Sequence, residues 1–140
     1  MSLAKVDDQW IPLQVKVFSR WVNAQLKNNQ EIQVDDVTKD LNDGVALVSL
    51  AKELIGKDTP RAWAHKPRSN FDKVQNCDLS VDMFTKDGVR LVGISGKDVN
   101  DNNEKLILGY IWTLILHYGV GRSVSSDTKD NNSAAVKSDK

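Results

Sequence analysis

Cysteine is almost missing from this chain. Cys77 is alone among 140 residues, so no disulfide can form within it. Neither sign of charge is in excess: Lys plus Arg equals Asp plus Glu, 19 each. That balance argues against broad nucleic-acid binding, which leaves a basic footprint. No apolar run has the length and flanks of a membrane span or a signal peptide, and the cytoplasm is the expected compartment. There are two histidines, His65 and His117. With a single cysteine they fall short of the ligand set of a structural zinc site. No internal repeat is visible. The length fits one domain with its own core.

What the chain does have is an apolar stretch from Leu106 to Tyr118 without a fixed charge, preceded by Lys105. It is shorter than the about 20 residues a bilayer crossing needs. Leu108, Ile111, Trp112 and Ile115 share one helical face; Ile107, Tyr110 and Leu114 share much of another. Apolar character on most sides predicts a central core helix. One side is expected to stay open and apolar for a partner.

Taken in order, residues 1–8 read as a loose arm. After Trp10-Ile11-Pro12, with proline in a first helical turn, Val15, Phe18, Trp21, Val22 and Leu26 recur at three and four residues. They predict a helix with Phe18 and Trp21 facing inward. Asp35 to Leu41 reads as a helical turn. Asp43 is the expected N-cap of a second helix, Val45 to Ile55, closed by Gly56. Lys57 to Ser69 is irregular, with Trp63 expected to pin it to the body. A third helix is predicted over Asn70–Phe84 and broken by Asp87-Gly88. Val89 to Ile94 is read as a connector, because a lone short strand has no sheet to join. Asp101-Asn102-Asn103 supplies cap residues for the last helix, which Gly119 and Gly121 are expected to end. Residues 121–140, polar and without aromatics, read as a disordered tail or linker.

Chemistry-bearing patterns fail in detail. Asp98 to Asn102 starts like a calcium loop, but its sixth position is Asn103 rather than Gly and its twelfth is Gly109 rather than Glu. Gly96-Lys97 is followed by Asp98 where a phosphate-binding loop needs Ser or Thr. Cys77 lies in an apolar helical stretch without a matching base. No catalytic, cofactor-binding or metal-binding residues are assigned, and the residues point to a helical interaction domain rather than an enzyme.

Three blocks resemble the calponin homology domain, in particular the actin-binding first domain of the tandem in filamins, α-actinins and spectrins. Gln14 to Leu26 resembles Gln-x-x-Thr-Phe-Thr-x-Trp-x-Asn-x-x-Leu. Asp40 to Leu50 resembles Asp-Leu-x-Asp-Gly-x-x-Leu-x-x-Leu. Lys105 to Tyr118 is similar to Lys-Leu-Ile-Leu-Gly-Leu-Ile-Trp-Thr-Leu-Ile-Leu-His-Tyr. Asn76 falls where the family has a helix asparagine. Val17 departs from the usual Thr, Tyr110 from an aliphatic residue, and Asn102 from a glycine. The resemblance spans roughly residues 9–120.

It implies an all-α calponin homology fold of four main helices with short connecting helices, and binding to filamentous actin without a cofactor. The implied contact residues are Gln14, Lys16, Val17, Ser19 and Arg20 in the first segment. In the last helix they are Lys105, Leu106, Tyr110, Thr113, Leu114 and His117. An alternative is a single regulatory or scaffold domain of a signalling protein such as a Rho guanine nucleotide exchange factor, in intramolecular contact with downstream domains through the linker-like tail.

Overall fold

Apolar residues at helical spacing build α1 (Ser2–Gln25), α2 (Val45–Ile55), α3 (Asn70–Lys86) and α5 (Glu104–Leu114); the short α4 (Gly96–Asn100) precedes α5. The computed structural model describes the backbone of residues 2–120 and the side chains of residues 10–119. The tail expected over residues 121–140 lies outside the described residues. Among the described residues there is no strand; Val89 to Ile94 is a connector.

The order of packing places α1 against α2 and α5, α3 against α2 and α4, and α4 against α5. Phe18 and Val22 of α1, and Leu26 just past its end, meet Leu47 and Leu50 of α2, Leu79 and Phe84 of α3, and Ile107, Ile111 and Leu114 of α5 in one core. Each enclosed Leu, Ile or Phe side chain contributes about 1.5–3 kcal/mol relative to exposure.

Two sequence expectations about α1 change. The helix begins at Ser2 rather than after a loose arm, and Pro12 lies inside it rather than in its first turn. Proline's fixed φ is already helical, so the ring forfeits one backbone bond without forcing a stop. At the other end Trp21 is half-buried. A Cβ added to Gly119 would come within 3.0 Å of the Trp21 Nε1. The missing side chain at 119 is what lets the indole lie there.

With few regular elements between α1 and α3, asparagine side chains secure the irregular backbone. Asn23 donates to the Val34 carbonyl at 2.7 Å and accepts from the Val34 amide at 2.9 Å. Asn76 accepts from the Ala64 amide at 3.1 Å, and donates to the Ala64 carbonyl at 2.8 Å and the Asp43 carbonyl at 3.1 Å. Asn100 donates to the Asn42 carbonyl at 2.8 Å. Each primary amide offers both donors and an acceptor, so one side chain satisfies a stretch of backbone that has no sheet partner. Trp63 packs on the core from the same loop.

The helix ends follow local chemistry. Asp43 is not the N-cap of α2: Gly44 holds that position, in the left-handed region at φ 79°. A Cβ there would approach the Cys77 backbone nitrogen to 2.7 Å. Asp43 instead accepts from the Val45 amide at 3.0 Å. Ser69 caps α3, Asn103 caps α5, and Asn102 takes φ 59° between α4 and α5. Asn tolerates that conformation better than most residues. The last helix widens into a π-helical segment, Ile115–Val120, which runs through Gly119 instead of ending there as the sequence suggested. Gly121 lies outside the described residues. Tyr118 anchors that segment by donating to Asp87 at 2.6 Å.

Cys77 is enclosed, and its thiol is pushed up from 9.0 to about 12, first by burial and then by the charges of Asp43 and Asp78. The folded state holds its proton where the unfolded chain releases it. This contribution to stability is therefore complete below about pH 9 and lost as pH rises toward 12. Native Cys77 should react with a thiol reagent at pH 8 at least tenfold more slowly than in the unfolded chain; equal rates would contradict its enclosure. Asn76→Ala should cost about 2–4 kcal/mol in urea unfolding, because it strands backbone groups of two loops. A loss under about 0.5 kcal/mol, as for an ordinary surface change, would contradict the clamp.

Candidate protein-binding surface of the first and last long helices

α5 is two-sided. Ile107, Tyr110, Ile111 and Leu114 are buried, whereas Lys105, Gly109 and Trp112 run along an exposed edge that Leu116 continues into the π-helical segment. The Tyr110 hydroxyl pairs with Ser80 Oγ at 2.6 Å, and Ser80 donates to the Cys77 carbonyl at 2.7 Å. Phe84 meets the Tyr110 ring edge-on. Burial raises the Tyr110 phenol well above its ordinary value, with the Ser80 bond opposing. These contacts fix the rotation of α5 and therefore which edge faces water.

Between that edge and α1 lies a groove of about 450 Å³, lined by Ile11, Gln14, Phe18, Lys105, Leu108, Gly109 and Trp112. Trp112 stays 48% exposed. Its ring lies nearly parallel to Phe18, 10° between planes and 6.0 Å between centroids. The absence of a side chain at Gly109 leaves the floor open: nothing lies within 4 Å of a Cβ placed there. Lys105 is exposed at one end of the groove, and Lys16 and Arg20 are exposed on α1. The groove joins an aromatic platform to one cation, Lys105; Lys16 and Arg20 lie about 160° around α1 from Phe18, on its far side.

The candidate residues fall into two groups. Lys16, Val17, Arg20, Lys105 and His117 are exposed, and Gln14, Leu106 and Thr113 are half-buried. Gln14 and Lys105 both line the groove. Thr113 spends its hydroxyl on the Gly109 carbonyl at 2.7 Å. Ser19, Tyr110 and Leu114 are enclosed and present no surface to a partner. Ser19 accepts from the Val37 amide at 3.1 Å; Tyr110 is held by Ser80; Leu114 is fully buried. These three support the face from behind. Trp112 and Leu116 were missed as contact candidates. The signal was Lys105, whose charge marks the wet edge; steps of four and seven residues from it reach Gly109 and Trp112.

Among the described residues, four long α-helices, the short α4 and a terminal π-helical turn make up the fold. The chain belongs to the calponin homology (CH) domain family, whose model matches residues 12–120. It is 35% identical over 128 residues to interaptin of Dictyostelium discoideum, covering 91% of this chain and 7% of that protein. It is 35% identical over 136 residues to microtubule-actin cross-linking factor 1, isoforms 1/2/3/4/5, of Homo sapiens, covering 97% of this chain and 2% of that protein. Among solved structures, the actin-crosslinking core of Schizosaccharomyces pombe fimbrin superposes with a TM-score of 0.63 at 25% identity, over 82% of this chain and 26% of that one. The chain thus spans a small part of each of these proteins.

Leu114→Ala, at a fully enclosed site, should cost about 2–5 kcal/mol in urea unfolding. Trp112→Ala should cost no more than about 2 kcal/mol, since half of the indole is already in water. Equal losses would contradict the division of α5 into an enclosed side and an open edge.

Proposed function

We propose that this chain is a first-type actin-binding calponin homology domain, a filamentous-actin-binding module of a cytoskeletal crosslinking or signalling protein in the cytoplasm. Its work is adhesion rather than catalysis. The observation that carries this reading is Trp112, held open over an apolar groove and flanked by Lys105. Exposed aromatic anchors seated in a pocket and ringed by polar residues are the usual energetic centres of protein interfaces. The kinship with microtubule-actin cross-linking factor 1 and with the actin-crosslinking core of fimbrin supports actin as the partner.

The proposed mechanism has two parts. Lys105, at the groove itself, draws this face toward the acidic side of the filament, an effect that salt weakens. The Trp112 ring and the groove floor then lose water against apolar groups of the filament, which sets the lifetime of the complex. A single module of this size binds weakly. Firm attachment needs a second module on the same chain or on a partner, through effective concentration.

Cosedimentation with actin filaments tests this. The chain should pellet with filaments in a saturable, salt-sensitive manner. Trp112→Ala should weaken binding at least about tenfold, equivalent to about 1.4 kcal/mol, and Lys105→Glu should weaken it most at low salt. No pelleting at chain concentrations up to about 1 mM, a range that reaches affinities as weak as about −4 kcal/mol, would refute the reading.

A further inference from the structure

α1 carries a second apolar stripe that the core does not use. Trp10, Leu13 and Val17 are 51%, 46% and 47% exposed. At about 100° per residue they centre roughly 150° around the helix from the enclosed Phe18, Val22 and Leu26. Their spacing is three then four. In the sequence Leu3 and Val6 extend it backward as four then three, so that positions 3, 6, 10, 13 and 17 form one unbroken series. That is the a/d pattern of a two-helix seam. It lies along a helix of 24 residues, a little over three heptads and about 36 Å long. The Pro12 position falls on another side of the helix, away from this series. A helix that only covers a core has no need of a second apolar series at seam spacing.

We propose that this stripe is a self-association seam, in which α1 of one chain pairs antiparallel with α1 of a second copy. Charge selects the direction. The N-terminal part of α1 carries Lys5, Asp7 and Asp8, and the later part carries Lys16 and Arg20. Parallel pairing would set Lys16 and Arg20 beside their own copies. Antiparallel pairing sets that cationic part beside the acidic one. The register follows from the a/d series: position 10 lies level with position 13 of the other copy, and position 6 with position 17. Arg20, the first charged residue in the series, then falls at the outer end of the seam, level with position 3 and close to water. About three heptads with one charged end make a weak pair, in equilibrium with the monomer. The pairing requires no actin and stands or falls apart from the filament reading.

Sedimentation velocity of the full chain, without filaments, tests the seam. The weight-average mass should rise with concentration across about 0.01–1 mM. Leu13→Glu should weaken the association at least tenfold while the circular dichroism spectrum stays helical. Two cysteine variants test direction, since the native Cys77 is buried. Under mild oxidation Val17→Cys alone should give no disulfide dimer, because its two copies sit about 16 Å apart along the seam. An equal mixture of Val6→Cys and Val17→Cys chains should cross-link. A chain that stays monomeric to 1 mM, or a Leu13→Glu chain that associates as well as the unaltered one, overturns the seam. Disulfide dimers from Val17→Cys alone overturn the antiparallel order. A monomeric chain that instead binds phosphatidylserine vesicles through Leu13 overturns the pairing and gives the stripe to a lipid surface.

Discussion

Ile107, Ile111 and Leu114 have essentially no surface in water, and the exposed face of the molecule depends on that enclosure. A helix so apolar cannot choose its orientation by polarity alone; burial against α1 and α4 chooses it. The Tyr110–Ser80 hydrogen bond then removes the remaining freedom, because a buried hydroxyl without a partner is costly. Once α5 is set, Lys105, Gly109 and Trp112 have nowhere to lie except along the open edge. The groove is thus a consequence of how the core closes.

The segments between the long helices could have been the weak part of such a fold. Asn23, Asn76 and Asn100 answer for them by bonding backbone at Val34, Ala64, Asp43 and Asn42. Close approach at Gly44 and Gly96 reinforces this. The Gly96 amide donates to Asp78 at 2.6 Å, and a Cβ there would lie 2.6 Å from the Val74 carbonyl oxygen. These contacts bring α3 onto α2 and α4 without a sheet, and leave α1 and α5 free to share an edge.

Much of this was legible in the residues. The bounds of α2 follow from Leu47, Leu50 and Ala51 at helical spacing and from Gly56, whose left-handed conformation closes the helix. A cap among Asp101, Asn102 and Asn103 was readable from the residues ahead of an apolar run; the structure selects Asn103. The calponin homology pattern carried the fold as a whole. Less was legible where two local signals agree with more than one structure. Pro12 fits a first turn and a helix interior equally well in φ. Ser19 looks like a wet-side residue until the Val37 amide arrives from a loop 18 positions away. Tyr110 and Trp112 are both amphipathic aromatics near the middle of an apolar run. Only the position of Ser80 on α3 decides that the first is inside and the second outside. The a/d series on α1 was present in the spacing, but it is hidden among core residues that share the same helix.

The central claim is that the α1–α5 edge, and not another part of the surface, meets the filament. Hydroxyl-radical footprinting addresses it directly, because two aromatic side chains in different places are both open to oxidation: Trp112 on α5 at 48% and Phe71 on α3 at 70%. With actin filaments added, oxidation of Trp112 should fall severalfold while that of Phe71 stays unchanged. Protection of Phe71 with Trp112 still fully reactive would contradict the account.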